Sequence, residues 1–372
     1  MADLSIEVDG LKFPNPFVIG SGPPGSNANC INRAFSQGWG GVVCKTIALE
    51  ADKVNNVAPR YARLRIDGGD PKDKKQIFGF QNIELISDRP FDDWLDDFKK
   101  IKDTHPDKVL ICSIMEEPRK DAWQEIVERC QEAGVDSFEL NLSCPHGLPE
   151  RRMGMAMGQE PDMVERVCKW VMEVAKVPVW AKMTPNVTNI TVPAESAFNA
   201  GCQGVAAINT ILSVTGVDLE TLRPMPTVEG HSIPGGYSCK AVRPIALRMC
   251  MEIAQAFPNK TLSGIGGVET GKDAAQFILL GAHTVQVCTG VMLYGYKMVK
   301  PMIEELSAFM DKHGFTSIED FRGKSLEYFT THANLVELQR AAQVKKSLEK
   351  DSDWKGEDFV EQSEALAANT TS

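Results

Sequence analysis

The chain has 372 residues, 43% of them hydrophobic, and a formal net charge of −10. That is enough apolar material for one barrel-sized core plus a tail, and the acidic balance argues against nucleic acid or an anionic membrane surface as the main partner. No stretch approaches the roughly 20 apolar residues of a membrane span, and the ten cysteines are too scattered, with Cys239 and Cys250 the nearest pair, to hold zinc or an iron–sulfur cluster through a CxxC element.

In chain order, short β-rich runs fall at Phe17–Gly20, Gly41–Thr46, Val109–Ile114, Ser137–Leu142, Val179–Met183, Gly204–Asn209, Thr261–Ile265 and Thr284–Cys288. Helical patterns lie between and after them, near Asn29–Gln37, Phe91–Asp103, Arg119–Ala133, Pro161–Ala175, Pro193–Ala200, Arg243–Phe257, Gly271–Leu280 and Tyr294–His313. This alternation predicts parallel strands wrapped by helices, a (β/α)8 TIM barrel over residues 1–315. A C-terminal helical extension, residues 316–372, is expected to pack on it, with an amphipathic helix around Asn334–Lys350 and a polar, acidic end.

A doubly wound sheet competes, because Gly20-Ser21-Gly22-Pro23-Pro24-Gly25 formally matches GxGxxG after a strand. The match fails its context: two prolines fall where the helix should begin, and the second strand ends in Cys44-Lys45-Thr46 instead of the acidic residue that holds a ribose. Two connections, Ile47–Phe91 with its charged Asp67–Lys75 stretch and the Pro/Gly-rich Thr210–Cys239, are too long for plain turns. They read as long loops that build an active-site face.

Strand ends converge on one face of such a barrel. That face would carry Ser21, Lys45 with Thr46, Asn141 with Cys144, Lys182, Asn209 with Thr210, Gly266 with Gly267, and Cys288 with Thr289. The glycines of Ser263–Gly267 and Cys288–Gly290 suit a phosphate, since bare backbone lets N–H groups approach closely, with a plain tight turn as the alternative for Gly266-Gly267. A strand lysine needs an anionic or polar partner, so Lys45 and Lys182 read as functional, with a structural ion pair as the alternative. Cys144 follows the run Ser137–Leu142 and precedes Pro145, which cannot continue a central strand. A loop thiol there is mostly protonated at neutral pH and can act as an acid; the competing reading is a small buried hydrophobe.

Taken together, Lys45-Thr46, Gln81–Ser87, Asn141–Gly147, Ala181–Asn186, Ile208–Thr210, Gly235–Ser238 and Gly266-Gly267 resemble the flavin domain of the dihydropyrimidine dehydrogenases, and more distantly the class 1 dihydroorotate dehydrogenases. The likeness spans roughly residues 4–312; Pro224–Arg243 and the tail to Gly356–Val360 resemble most the short, plant-type form. The resemblance implies a barrel holding FMN through Ser21, Lys45, Lys182, Gly235, Gly236, Gly266, Gly267, Cys288 and Thr289. It implies that Asn82, Glu84, Asn141, Asn209 and Thr210 hold a pyrimidine, that Cys144 donates a proton from a mobile loop, and that His146 tunes the thiol or shapes that loop. Lys45 would also act catalytically, stabilising the reduced flavin. Amides and one carboxylate suit a uracil edge, which alternates acceptors and donors; from the residues alone, Glu84 also reads as a surface charge and Asn82 and Asn209 equally as turn residues.

The implied activity is reduction of uracil and thymine, the first step of pyrimidine catabolism, by a homodimer using NADPH. No iron–sulfur ligands or separate nucleotide-binding domain are recognisable, so electrons come from NADPH directly or from an electron-transfer partner. Rival readings are dihydroorotate oxidation, which Glu84 would disfavour by repelling the substrate carboxylate, a tRNA dihydrouridine synthase, which would need a basic RNA-binding surface, and a flavin-binding subunit or sensor without turnover. The scattered thiols point to an intracellular compartment. The first residues, with Asp3, Glu7 and Asp9, look like neither a transit peptide nor a signal, so cytoplasm, or a plastid after removal of a leader, is expected.

Overall fold

A computed structural model describes residues 2–51, 54–66, 70, 72–145 and 151–348. His146, part of Asp67–Lys75, Lys350 and the Gly356–Val360 motif lie outside the described residues. Eight strands close into a parallel barrel: β1 (Phe17–Ile19), β2 (Gly41–Val43), β3 (Val109–Ile114), β4 (Ser137–Asn141), β5 (Val179–Lys182), β6 (Gly204–Ala207), β7 (Thr261–Ile265) and β8 (Thr284–Val287). The ring shuts where Val285 of β8 pairs with Phe17 of β1. The expected (β/α)8 architecture is the observed one.

These strands are buried almost throughout, as in β3, whose six residues are all buried. Helices cover one face and barrel-lining side chains the other, which is why parallel strands read as continuous apolar runs. Several expected strands overshoot at their C-terminal ends: Leu142 leaves the ladder but stays in the core, while Lys45, Thr46, Asn209 and Cys288 leave it and line the barrel mouth.

Eight helices follow the strands: α1 (Ala28–Gln37), α2 (Phe91–Thr104), α3 (Lys120–Glu132), α4 (Pro161–Met172), α5 (Thr191–Asn199), α6 (Arg243–Ala256), α7 (Gly271–Leu279) and α8 (Val299–His313). In α2 the buried Phe91, Trp94, Phe98 and Ile101 recur every three or four residues and make one apolar stripe. Local caps set the ends: Asn27 accepts from the Cys30 N–H at the start of α1, and Thr270 with Asp273 forms a capping box on α7. The single helix expected from Tyr294 to His313 is broken. A short helix, Thr289–Tyr294, ends at Gly295 (φ 80°), and a 3-10 turn precedes α8.

At the N-terminal end of the barrel a hairpin, Ile6–Val8 with Leu11–Phe13, carries Asp9 in its turn. The Asp9 carboxylate accepts from Trp180 Nε1 (2.7 Å) and Thr261 Oγ1 (2.9 Å) and so ties down the starts of β5 and β7. Chemistry is left to the opposite face.

There the two long connections are not the plain loops expected. They pair with each other in an antiparallel sheet ordered Ile211–Ser213, Gly235–Ser238, Ile77–Asn82, Tyr61–Arg65, while Val217–Asp218 pairs separately with Arg223–Pro224. The short, Gly-interrupted runs carry little periodic signal, and their pairing joins residues as distant as Asn82 and Gly236.

The described residues up to Leu326 form one compact unit and those from Glu327 onward a second. Within the first, Ile318 and Phe321 are buried. Within the second, His332–Leu348 is helical, and Thr331 Oγ1 accepts from the Asn334 N–H (3.2 Å) at its start. Among the described residues no helix is long and apolar enough to cross a membrane, and no three His, Cys, Asp or Glu side chains gather as metal ligands.

Candidate active site

The C-terminal ends of the barrel strands and the antiparallel sheet enclose a cleft. Its lining includes Ser21, Lys45, Thr46, Asn82, Glu84, Asn141, Cys144, Lys182, Asn209, Thr210, Gly266, Gly267, Cys288 and Thr289. Gly235 and Gly236 are not among the described lining residues: they sit in a strand. A Cβ on Gly235 would lie 2.5 Å from Asn82 O and one on Gly236 2.1 Å from Thr210 Oγ1, so strand packing by itself requires glycine at both.

A hydroxyl and amide network orients the floor. Thr46 Oγ1 lies 3.2 Å from Ser21 Oγ and 2.8 Å from Ser113 Oγ, and accepts from Asn141 Nδ2 at 3.0 Å. Asn209 Nδ2 donates to Ser143 Oγ (2.8 Å), and the Thr210 N–H donates to Asn209 Oδ1 (2.8 Å). Each amide is thereby fixed in one orientation, a condition for reading a ligand edge.

Glu84 enters from the sheet. Its Oε1 is 3.1 Å from Lys45 Nζ and 3.0 Å from Arg60 Nη1, and its Oε2 accepts from Tyr61 OH at 2.9 Å. Burial and the adjoining carboxylate push the Tyr61 phenol well above its ordinary pKa, so it stays a donor. Asn82 donates from Nδ2 to Gly236 O (3.2 Å) and accepts from the Glu84 N–H (3.3 Å), which locks the carboxylate to the sheet.

Cys144 is buried at the cleft wall beside Ala48, Val54, Ile86, Met115 and Met153, and its carbonyl accepts from the Met155 N–H at 3.0 Å. Across the cleft Lys182 lies 3.0 Å from Glu139 Oε1 and donates to Gln286 Oε1 at 3.4 Å, while Gln286 Nε2 donates to Glu139 Oε2 at 2.7 Å. The lysine thus lines the cleft and belongs to an ion pair inside the barrel.

The ends of β7 and β8 make a cradle. Gly266 (φ 145°) and Gly267 (φ 72°) leave no room for a side chain: a Cβ would lie 2.5 Å from the Ala246 Cβ and 2.7 Å from Cys239 O, respectively. Bare backbone at this point, with Thr289 joined to Ser238 by a 2.8 Å hydroxyl contact, is the kind of surface that receives a phosphate. With Lys45 and Lys182 lining the same cleft, the donor set fits a phosphate-bearing flavin. Burial pushes the Cys288 thiol up to about 11, against the opposing pull of Lys182, and Cys239 to about 11 as well, so both are neutral at physiological pH.

Arg60, Tyr61 and Phe80 were missed from sequence. Tyr61-Ala62-Arg63-Leu64-Arg65 has a strand-like alternation that could have flagged them, but only the pairing of Tyr61 with Asn82 brings them to the mouth. Ser113 and Ser143, which hold Thr46, Asn141 and Asn209, gave no signal beyond lying at strand ends.

A closed barrel that carries a glycine cradle beside a polar, thiol-bearing cleft defines a barrel oxidoreductase with a place for a flavin. Residues 3–310 match the family model described as dihydroorotate dehydrogenase. The chain belongs to this family of flavin-dependent oxidoreductases. It is 56% identical over 377 residues to the chloroplastic dihydropyrimidine dehydrogenase (NADP(+)) of Arabidopsis thaliana, covering 99% of this chain and 88% of that protein. It is 43% identical to the NAD-dependent dihydropyrimidine dehydrogenase subunit PreA of Escherichia coli K12, over 86% of this chain and 76% of the relative. The catalytic subunit of dihydroorotate dehydrogenase B (NAD(+)) from Pyrococcus abyssi is 33% identical, over 87% and 99%.

Proposed function

We propose that the protein reduces uracil and thymine to their 5,6-dihydro forms, with NADPH and one proton consumed and NADP+ released per turnover. The observation that carries this reading is the convergence of Asn82, Glu84, Asn141, Asn209, Thr210 and Cys144 on the cleft that also holds the Gly266-Gly267 cradle. FMN bound at that cradle would supply a hydride to C6 of the pyrimidine. Cys144 would give its thiol proton to C5, Asn141 and Asn209 would read the ring's carbonyls and N–H groups, and Glu84 would accept a ring N–H. Lys45 would hold Glu84 in place and offset negative charge gathering on the reduced cofactor.

Repulsion by Glu84 does not by itself exclude orotate, because Lys45 and Arg60 offset its charge. The choice of uracil and thymine rests on the 56% identity to a dihydropyrimidine dehydrogenase against 33% to a dihydroorotate dehydrogenase subunit. A second reading draws on the Escherichia coli relative, which is named a subunit: a partner protein would deliver the electrons. A plastid setting is supported by the chloroplastic Arabidopsis relative.

The test is anaerobic reduction of the flavin-loaded protein by NADPH, followed by uracil. Bleaching and then recovery of flavin absorbance is expected. Reoxidation by uracil only after chemical reduction would favour the partner reading, and no reoxidation by uracil or thymine would overturn the substrate assignment.

A further inference from the structure

The chain as a whole is acidic, with a formal charge of −10, yet one edge of the mouth is basic. The described residues between Arg60 and Lys75 include Arg60, Arg63, Arg65, Lys72, Lys74 and Lys75 against two carboxylates, Asp70 and Asp73. Both carboxylates turn inward to backbone, Asp70 accepting from the Lys72 N–H (2.8 Å) and Asp73 from the Lys75 N–H (2.9 Å). Three of the cations are also engaged: Arg60 by Glu84, Arg65 by Asp73 O (3.2 Å) and Lys74 by Leu293 O (2.6 Å). Among the described residues no carboxylate pairs with Arg63, Lys72 or Lys75. All three are exposed.

Strand pairing sets where this charge points. Tyr61–Arg65 is the outer strand of its sheet and pairs with Ile77–Asn82. Residues directly opposite in an antiparallel pair share a face. Tyr61 stands opposite Asn82 and Arg63 opposite Phe80, and Tyr61, Phe80 and Asn82 all line the cleft. Arg63 therefore stands on the cleft side of the sheet, with its guanidinium 5.8 Å from the Phe80 ring centroid. Lys240, in the 3-10 turn before α6, donates to Lys75 O at the same edge, with its charge shared by Glu269 at 3.9 Å.

We propose that this edge, with Arg63 and Lys75 at its centre, binds the phosphates of NADPH, above all the 2′-phosphate that distinguishes it from NADH. The inference rests on NADPH as the electron source in the proposed function. A guanidinium forks onto phosphate oxygens, and the unpaired lysines add charge without a carboxylate to displace. The site lies at the rim, so the nicotinamide can extend along Phe80 into the cleft while the adenosine end stays outside.

The experiment titrates adenosine 2′,5′-bisphosphate into flavin-loaded wild type and the Arg63→Glu/Lys75→Glu variant by calorimetry, alongside steady-state kinetics with NADPH and NADH. The variant should bind the bisphosphate at least tenfold more weakly. Its KM for NADPH should rise at least tenfold with kcat held, and its KM for NADH, which lacks only the 2′-phosphate, should rise far less. Reoxidation of dithionite-reduced flavin by uracil should match wild type, which establishes that the cleft is intact in the variant. Equal bisphosphate binding and equal NADPH kinetics in both proteins would overturn the site while leaving NADPH as donor. If wild type takes no electrons from NADPH although uracil reoxidises its reduced flavin, the donor reading fails and this inference falls with it. Charge reversal that blocks reduction by an added flavoprotein, with no effect on the bisphosphate, would likewise overturn it in favour of a protein-docking edge.

Discussion

Lys182 of β5 and Glu139 of β4 face each other inside the barrel at 3.0 Å, with side-chain exposures of 5% and 0%. Gln286 of β8 bonds to both. A buried pair is worth little against an apolar replacement, but breaking it strands a charge, at about 3–5 kcal/mol. Lys182→Met should therefore lower unfolding free energy by about that much, and Lys182→Met with Glu139→Leu should recover most of it. Urea unfolding of both variants reads this directly; a single variant within about 1 kcal/mol of wild type would contradict a buried charged pair.

Cys144→Ala should leave flavin bound and the NADPH half-reaction intact while uracil reduction falls by about 10²–10⁴-fold, the usual worth of a positioned acid. Cys144→Ser should fall nearly as far, a hydroxyl being a much weaker acid than a thiol. Stopped-flow reoxidation of reduced enzyme by uracil separates the two half-reactions, and unchanged reoxidation in the alanine variant would remove Cys144 from the chemistry.

Tyr61→Phe removes one donor from Glu84, a hydrogen bond to a charged group worth about 1.5–3 kcal/mol. The carboxylate, still held at Oε1 by Lys45 and Arg60 but less firmly oriented at Oε2, should raise KM for uracil several-fold without loss of flavin. Equal KM values in variant and wild type would show that Tyr61 does not position Glu84.

Gly267→Ala places a Cβ 2.7 Å from Cys239 O at φ 72°, a conformation that costs an L-residue roughly 1–2 kcal/mol before the overlap is counted. The flavin-to-protein absorbance ratio of the purified variant should drop several-fold while far-ultraviolet circular dichroism keeps the barrel signal. A full complement of flavin would argue against the cradle.

His283 supplies a pH dependence. Burial, aided by the nearby Arg322 charge, pulls its pKa from 6.5 to about 4, and its Nδ1 accepts from the Leu262 N–H at 3.2 Å. The folded value is the depressed one, so the stabilising contribution of neutral His283 is fully present above the unfolded pKa and is lost as pH falls through the folded pKa. Between pH 6.5 and 4 stability should fall with a slope approaching about 1.4 kcal/mol per pH unit from this group. His283→Asn keeps an acceptor and should flatten that part of the curve in urea unfolding followed against pH.

The ends of the (β/α)8 pattern were less legible than its middles. Val109–Ile114 and Thr261–Ile265 have the same bounds in sequence and structure, because buried parallel strands announce themselves as apolar runs between turn residues. Gly41–Thr46 was read too long because Lys45 and Thr46, which continue the run in sequence, bend out of the ladder to meet Glu84 and Ser113. The resemblance makes Gly235 and Gly236 flavin contacts; the strand packing adds a requirement of its own, since a Cβ there would meet Asn82 O and Thr210 Oγ1.

The residue pattern alone determined the barrel and the polar character of its strand ends, since both follow from local periodicity and from the few residue types that tolerate a strand-to-loop turn. Only the tertiary structure decided that Ile77–Asn82 pairs with Gly235–Ser238 on one side and Tyr61–Arg65 on the other, and hence that Glu84, Tyr61 and Arg63 meet at the mouth. Pairing between segments so far apart in sequence is settled by which edges the folded barrel brings together, and no local signal records it.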